Sequence, residues 1–447
     1  MGLVDNFYKR LPVTAQNLII SLYGWYWKER RFGGVFKEEL KKFKQRENFT
    51  EQQWNEYQTI ELRKILLHAF ETVPFYREKY SKAGFDAEDF RNFELSDLKK
   101  LPFLEKEDLR VYGKSTLMST NKEVGGQFYS SSGSTGTPTS IYFSKTMHQK
   151  WSAGFETRIR NWAGLTRKSS RGMIGGRRVL PEGQGKPPFY RYNMAEKQVY
   201  FSAYHISKQT SGNYIEAMRK YGIDYMTGYA ASNFILARFL KEQKLRYPLK
   251  AVITSSEKLT KEMRETFKEV YGCKTYDSYS GVEACGLISE CEYGGLHISP
   301  DMGIIEFLDN EGNASNSGHL AEMVCTGILN YDQPLIRYRI GDMAVPSDDN
   351  CKCGRIMPLV DEIVGRVEDV VIGSDGREMV RFHSVFIEMS NIVKAQVVQN
   401  DFDDFVINLE SIKPLSEEEK RVILNRMESQ LGKIKLIINK NKAKDLD

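Results

Sequence analysis

Apolar residues recur at helical spacing through roughly the first 100 positions. Over Glu51–Phe70 they fall at Trp54, Tyr57, Leu62, Leu66, Leu67 and Phe70. That three-to-four-residue period marks one buried face of a helix. Pro74 ends the run, because proline cannot continue a helix ladder. Earlier, Leu18–Trp27 reads LIISLYGWYW. A spanning helix needs about 20 apolar residues, and this stretch is too short. It also lacks the basic polar face of an interfacial helix, so packing against the main body is expected.

From Gly125 the texture changes. QFYS, SSGSTGTPT and SIYF read as strand, polar loop and strand across residues 127–143. Helix and strand patterns then alternate. Tyr214–Lys220, Ser232–Glu242 and Lys261–Val270 read as helices; Ile223–Met226, Ala251–Thr254 and Lys274–Tyr276 read as extended. This is the rhythm of a layered α/β body. GIIEFL, HLAEMVCT and LIRYRI make the Gly303–Ala344 region strand-rich, with DNEGNASNS as a loop. A boundary is expected near Val364–Asp369. Beyond it, short strands surround Phe382–Met389 and Ser416–Gln430, the latter opening on a capping serine and acidic residues. The expected fold class is therefore α/β multidomain. Residues 1–364 form a large body with a helical start, and 365–447 form a small α+β domain.

Composition narrows the function classes. The 447 residues are 41% apolar and 28% charged, with 64 Lys+Arg against 59 Asp+Glu, for a net charge of +5. That small excess argues against a nucleic-acid binder. The run Lys37–Lys42 is interleaved with Glu38 and Glu39 and reads as a solvated helix face. No secretory pattern opens the chain, which implies a cytoplasmic protein with no transmembrane segment. The six cysteines then do not suggest a disulfide framework. Cys351-Lys352-Cys353 is too tight for an ordinary disulfide. Together with Cys291 and His297 it offers three thiolates and one imidazole, a set suited to tetrahedral zinc with no open position. Buried free thiols are the bland alternative, and Cys285 is a substitute ligand.

The loop Ser130–Thr139, SSSGSTGTPT, carries glycines that let backbone approach an oxyanion, and hydroxyls that donate to one. It is not the Walker pattern, since no Gly-Lys-Ser/Thr closes it. Three later motifs accompany it: Tyr279-Ser280-Gly281-Val282-Glu283, Tyr338-Arg339-Ile340-Gly341-Asp342, and Gly365-Arg366-Val367-Glu368-Asp369. With them the chain resembles the adenylate-forming acyl and aryl ligases. Within that superfamily it looks most like the phenylacetate–coenzyme A ligases and related proteins of capsular-polysaccharide biosynthesis. The similarity covers nearly the whole chain, including LPVTAQNLIISLYG and VITSSEKLTKEMRETF.

The resemblance implies that Ser131, Ser132, Gly133, Ser134, Thr135, Gly136 and Thr137 cradle the phosphates of ATP. Thr137 stands where the family often has lysine. It further implies that Tyr279 stacks on adenine beside Ser280, and that Glu283 holds magnesium. Val282 replaces the family's hydroxyl residue. By the same resemblance Asp342 accepts from the ribose hydroxyls and Arg366 contacts the nucleotide. Glu368 and Asp369 neighbour a hinge that makes the small domain mobile. The catalytic lysine is Lys433 or one of Lys440, Lys442 and Lys444, unless no lysine serves. Tyr204, His205, Tyr229 and Ala230 fall near the acid pocket, and the backbone at Met226–Gly228 is expected to approach the substrate. The implied function is ATP-dependent activation of a carboxylic acid as an acyl-adenylate. Transfer to coenzyme A or to an amine or sugar acceptor follows, in surface or capsular polysaccharide biosynthesis. Structural zinc is part of this picture, and a homodimer is allowed. Val282 and the few residues after the last expected strand also suit an alternative: a non-catalytic ATP- or acyl-adenylate-binding partner in polysaccharide assembly.

Overall fold

The computed structural model describes residues 8, 11–130, 139–175, 180, 186–366, 371–372, 378–379, 382–386, 389 and 391–440. It divides into two units. The larger comprises Met1–Ile340 and Ala344–Ile363; the smaller comprises Gly341–Met343 and Val364–Asp447.

The larger unit opens with helices α1 (Val13–Phe32), α2 (Phe36–Arg46), α3 (Glu51–Thr72), α4 (Pro74–Lys82), α5 (Ala87–Arg91) and α6 (Lys106–Tyr112). Helix α3 starts where Thr50 and Gln53 form a reciprocal capping box. It buries Trp54, Leu62, Ile65, Leu66 and Ala69. Pro74 ends that helical pattern by serving as the first residue of α4, where its missing N–H costs nothing.

A hairpin pairs β1 (Gln127–Ser130) with β2 (Ser140–Phe143). The chain then runs through α7 (Lys145–Phe155), β3 (Arg171–Gly175), β4 (Tyr190–Asn193), β5 (Gln198–Ser202), α8 (Ser211–Tyr221) and β6 (Tyr225–Tyr229). Next come α9 (Ala230–Glu242), β7 (Ala251–Ser255), α10 (Lys261–Tyr271) and β8 (Lys274–Tyr279). β9 (Ile288–Glu290), β10 (Leu296–Ile298), β11 (Ile304–Leu308), β12 (Ala321–Thr326), β13 (Tyr338–Ser347) and β14 (Leu359–Arg366) follow. Twelve of these strands form one sheet in the order β11-β12-β13-β14-β10-β9-β8-β7-β6-β3-β5-β4. Within it β5, β3, β6, β7 and β8 run parallel, as the alternating pattern requires. Strand order reverses between β3 and β6, because β5 lies on one side of β3 and β6 on the other. In sheets of this kind the ligand crevice lies beyond the carboxyl ends at such a reversal. Gly228, near the end of β6, has φ +117°. A Cβ there would lie 1.9 Å from the Ile174 carbonyl oxygen. The glycine therefore permits close strand-to-strand contact at the reversal.

Helix α1 departs from expectation. It does pack on the body, but through its polar side: Gln16, Ser21, Gly24 and Arg30 are buried. Gln16, Ser21 and Arg30 each make hydrogen bonds there, although Arg30 Nε has no partner among the described residues. Arg191 Nε donates to Gln16 Oε1, Met194 N–H to Ser21 Oγ at 3.0 Å, and Arg30 Nη2 to the Phe143 carbonyl at 2.8 Å. Leu18, Ile19, Leu22, Tyr23, Trp25 and Tyr26 of the same helix face water, while Trp27 packs against Tyr129 and His148 and Phe32 against the core. No described helix is long and apolar enough to cross a membrane.

The smaller unit pairs β15 (Val371–Ile372) with β16 (Glu378–Met379), followed by the short α11 (His383–Phe386). β17 (Ile392–Asp401) and β18 (Asp404–Ser411) run antiparallel. After α12 (Glu417–Leu431), β19 (Lys435–Lys440) joins β18 in parallel. Alternation along β18 buries Phe405, Ile407 and Leu409 against Ile423, Met427 and Leu431 of α12. Ser416 caps α12 in a box with Glu419.

Candidate functional site

The carboxyl ends of β6 and β8 carry Tyr229, Ala230, Tyr279, Ser280 and Glu283 of the residues singled out in the sequence. Tyr229 ends β6 and Ala230 opens α9. The Ala231 N–H, at the start of α9, donates to Glu257 Oε2 at 2.8 Å. Helix α9 has no side-chain cap of its own, so the Glu257 carboxylate supplies the negative charge its positive end favours. Ser256, just after β7, has φ +69°, and Ala284, in the loop after β8, has φ +50°. Left-handed backbone is costly for residues with a Cβ and concentrates at functional loops.

Tyr279 ends β8 and Ser280 follows it. Glu283 is buried, and its Oε1 accepts from Thr139 Oγ1 at 3.3 Å. Gly281 makes room, since a Cβ there would come 2.5 Å from Glu283 Oε2. Ser131, Ser132, Gly133, Ser134, Thr135, Gly136 and Thr137 lie outside the described residues. Thr139, the last residue of the same loop, is buried. Sequence reasoning did not single out Thr139; its signal was the β-hairpin frame that fixes where the loop must end.

Asp342 lies buried on β13, after Gly341 at φ +78°. Arg366 closes β14, with its side chain outside the described residues, as are Glu368 and Asp369. Lys433 sits exposed in the turn between α12 and β19. Lys442 and Lys444 lie outside the described residues, and Lys440 ends β19. His205 stacks on Phe189 with ring centroids 4.9 Å apart, and its Nδ1 is 2.8 Å from Ser202 Oγ.

One half-buried acid was missed. Asp277 on β8 has its carboxyl raised to about 6, first by burial and then by the Glu290 carboxylate. Glu290 is itself clamped by Arg264 at 2.8 Å and accepts the Asp277 N–H at 2.9 Å. Nothing in the spacing of Tyr276-Asp277-Ser278-Tyr279 signals this.

Cys291, His297, Cys351 and Cys353 come together, with one donor atom from each lying within 4.8 Å of all the others. Cys291 Sγ is 3.5 Å from Cys351 Sγ, and Cys353 Sγ is 3.2 Å from His297 Nε2. Two matching turns deliver the thiols. Gly294 N–H donates to the Cys291 carbonyl and Gly354 N–H to the Cys351 carbonyl. Both glycines have positive φ, +93° and +77°. The β9–β10 hairpin and the pairing of His297 with Leu359 on β14 bring the halves together. Gly295 leaves the space they need: a Cβ there would sit 2.7 Å from Cys351 Sγ and 3.3 Å from His297 Nε2. Burial lowers the His297 imidazole to about 4, so the ring is neutral and its lone pair available. Its Nδ1 faces the Met357 carbonyl at 3.4 Å, and Trp162 packs edge-on against it. Burial opposes ionisation of Cys351, but hydrogen bonds from Cys353 and Cys291 outweigh it and lower that thiol. Cys285, the substitute ligand, is buried elsewhere, with Cys325 as its hydrogen-bonding neighbour.

No protein-family model matches the chain. It is 23% identical over 419 residues to protein CapK of Staphylococcus aureus, covering 91% of this chain and 88% of that one. It is 27% identical over 342 residues to a phenylacetate–coenzyme A ligase of Thermus thermophilus, with 70% of each chain covered. Against the Escherichia coli ligase of the same name the figure is 28% over 326 residues, covering 70% and 71%. Among solved structures, a 2-hydroxyisobutyryl-CoA ligase in its postadenylation state superposes with a TM-score of 0.64 at 19% identity, covering 89% of this chain and 87% of that one. The fold is that of the adenylate-forming ligases. In sequence the chain is similar to CapK and to the phenylacetate–coenzyme A ligases over 70% or more of its length.

Proposed function

We propose that the chain binds ATP through the Ser130–Thr139 loop and uses it to convert a carboxylic acid into an acyl-adenylate. One observation carries this reading. The buried hydroxyl of Thr139 meets the buried carboxylate of Glu283 across 144 residues of sequence, joining the loop's end to the second motif. A carboxylate there suits a magnesium ion shared with ATP oxygens. That ion, when bound, neutralises charge on the phosphates. The substrate carboxylate attacks the α-phosphorus, an oxygen–phosphorus bond forms, and pyrophosphate leaves. Tyr279 is assigned to the adenine face, Asp342 to the ribose hydroxyls and Arg366 to the nucleotide. The lysine assigned to the α-phosphate is Lys433 or one from the tail.

The acyl group then passes to the coenzyme A thiol or to an amine on a sugar or amino-acid acceptor. The neighbours named as coenzyme A ligases support the thiol, and the CapK match supports a role in surface polysaccharide. The Cys291–His297–Cys351–Cys353 cluster suits structural zinc. Tetrahedral ligands at roughly 2.3 Å for sulfur and 2.0–2.1 Å for nitrogen stand about 3.5–3.8 Å apart, near the separations between these donors. With all four positions taken by protein, the ion would brace the fold and leave the chemistry to the crevice.

The test is acid-dependent exchange of pyrophosphate into ATP across a panel of acids, with products identified by mass spectrometry. Exchange with a subset of acids is expected. ATP binding without exchange across the panel would instead support a non-catalytic adenylate-binding partner. Alanine at Lys433, Lys440, Lys442 and Lys444 in turn assigns the catalytic lysine by which variant loses exchange.

A further inference from the structure

Helix α1 buries its polar side and leaves its apolar side in water. Leu18 is 57% exposed, Leu22 63% and Trp25 68%, and Ile19, Tyr23 and Tyr26 are 41–58% exposed. No charged residue occurs from Val13 through Trp27. Apolar side chains scattered singly on a surface need no explanation, but a contiguous patch of this kind marks an interaction site.

The spacing of these residues says what fits. Counted from Leu22, apolar side chains stand at minus four (Leu18), minus three (Ile19), plus three (Trp25) and plus four (Tyr26). The pattern reads the same in both directions, as an isologous contact about a two-fold axis requires. An antiparallel copy centred on Leu22 sets aliphatic Leu18 and Ile19 against the partner's aromatic Tyr26 and Trp25. Charge agrees with this register. Glu29, seven residues after Leu22, falls opposite Ala15, seven before it, in the partner's first helical turn. That turn has no acidic residue, and its N-cap Pro12 provides no side-chain cap. An incoming carboxylate is what an uncapped helix start attracts.

The area is adequate as well. Large side chains of this class carry about 150–250 Å² each when aromatic. Three such aromatics and three aliphatic side chains, 41–68% exposed, approach the roughly 800 Å² per partner of a standard interface. A lipid surface fits less well, because the basic groups nearest the patch are already committed. Arg30 donates to the Gly125 and Phe143 carbonyls, and Arg31 pairs with Glu196. Lys28, the remaining basic residue of α1, donates to the Ala195 carbonyl at 3.1 Å, so among the described residues every basic side chain of this helix already has a partner.

We propose that two copies of this chain associate through α1, antiparallel, with Leu22 on the two-fold axis. The inference does not rest on the adenylation reading. Sedimentation equilibrium of the full chain is expected to show a dimer. Leu22→Glu is expected to raise the dissociation constant at least about 30-fold, as for a central interface residue. At concentrations where both proteins are monomeric its melting temperature should match the wild type, because the single chain leaves the Leu22 side chain in water. Under mild oxidation Leu22→Cys should form a covalent dimer, whereas Phe402→Cys, exposed on the smaller unit, should not. A wild-type monomer at about 100 μM, or a dimer indifferent to Leu22→Glu, overturns the proposal. So does a monomer that co-sediments with phosphatidylcholine–phosphatidylglycerol vesicles only when Leu22 is intact, which would give the face to a membrane.

Discussion

The Cys291–His297–Cys351–Cys353 cluster and the Thr139–Glu283 corner are both assembled from segments far apart in sequence, yet they are built in opposite ways. In the cluster, two glycine-closed turns and a hairpin bring four donor atoms within 4.8 Å, and the backbone around them is tailored to their volume. Nothing further is needed for four-coordinate binding. The corner holds one 3.3 Å hydrogen bond and a buried carboxylate, beside positive-φ backbone at Ala284. Its chemistry is incomplete until a ligand arrives. A site complete in protein groups should answer for stability, and a site left open should answer for activity.

Removing one cluster ligand gives the largest effect expected. Structural zinc contributes an apparent binding free energy of about 10–16 kcal/mol in small zinc modules. Cys351→Ser should lower the melting temperature by more than about 10 °C and reduce bound zinc below one per chain. A strong chelator should do the same to the wild type. Unchanged melting in both would remove the cluster's structural role and with it the contrast. Glu283→Gln is the complementary experiment. The amide keeps the shape and the Thr139 contact but loses the charge. Pyrophosphate exchange should fall at least about 100-fold, equivalent to about 2.7 kcal/mol of transition-state stabilisation. Melting should move by no more than about 2 °C. Large destabilisation with exchange intact would make the corner another structural element.

The legible parts of this molecule are those whose information is local. Helix α3 was readable because Trp54, Leu62, Leu66 and the stop at Pro74 lie on one period. The alternating units from Tyr214 to Tyr276 were readable for the same reason. Cys291, His297, Cys351 and Cys353 could be nominated by donor chemistry, although only the β9–β10–β14 pairing shows how they meet. What escaped depends on the third dimension. Burial by neighbouring strands, not sequence spacing, makes Asp277 unusual. The stretch within α1 was expected to pack against the main body, and it does. The face it uses is the polar one, held by Arg191, Met194 and Phe143, an arrangement no periodicity reveals. The close approach of Gly228 to Ile174 on the neighbouring strand likewise has no signal in the spacing.

Gly295→Ala sharpens the contrast within the cluster. The new Cβ would sit 2.7 Å from Cys351 Sγ, so a ligand must shift while all four donors remain. Zinc retention against a competing chelator should weaken about 10-fold or more, as when the surroundings of a metal site are disturbed. The melting temperature should drop by less than in Cys351→Ser. Equal losses would mean that β9–β10 packing, rather than ligation, carries the stability.

The smallest effect belongs to Asp277, on the strand that leads into the corner. Its folded carboxyl is raised to about 6 by burial and by Glu290, against about 3.9 in an unfolded chain. Between those values the folded state binds more protons. The stability this group contributes is therefore full below about pH 3.9 and is lost as pH rises through 6. Asp277→Asn cannot ionise. Its melting temperature should match the wild type near pH 4, exceed it increasingly up to about pH 6, and keep a constant margin above that. A margin independent of pH would mean that the amide gains by packing, and that no ionised carboxylate is held at a cost beneath the corner. A margin that grows across this window, together with reduced exchange, would show an open site keeping a destabilising charge for function. The closed cluster, with its imidazole held neutral, has no counterpart to that.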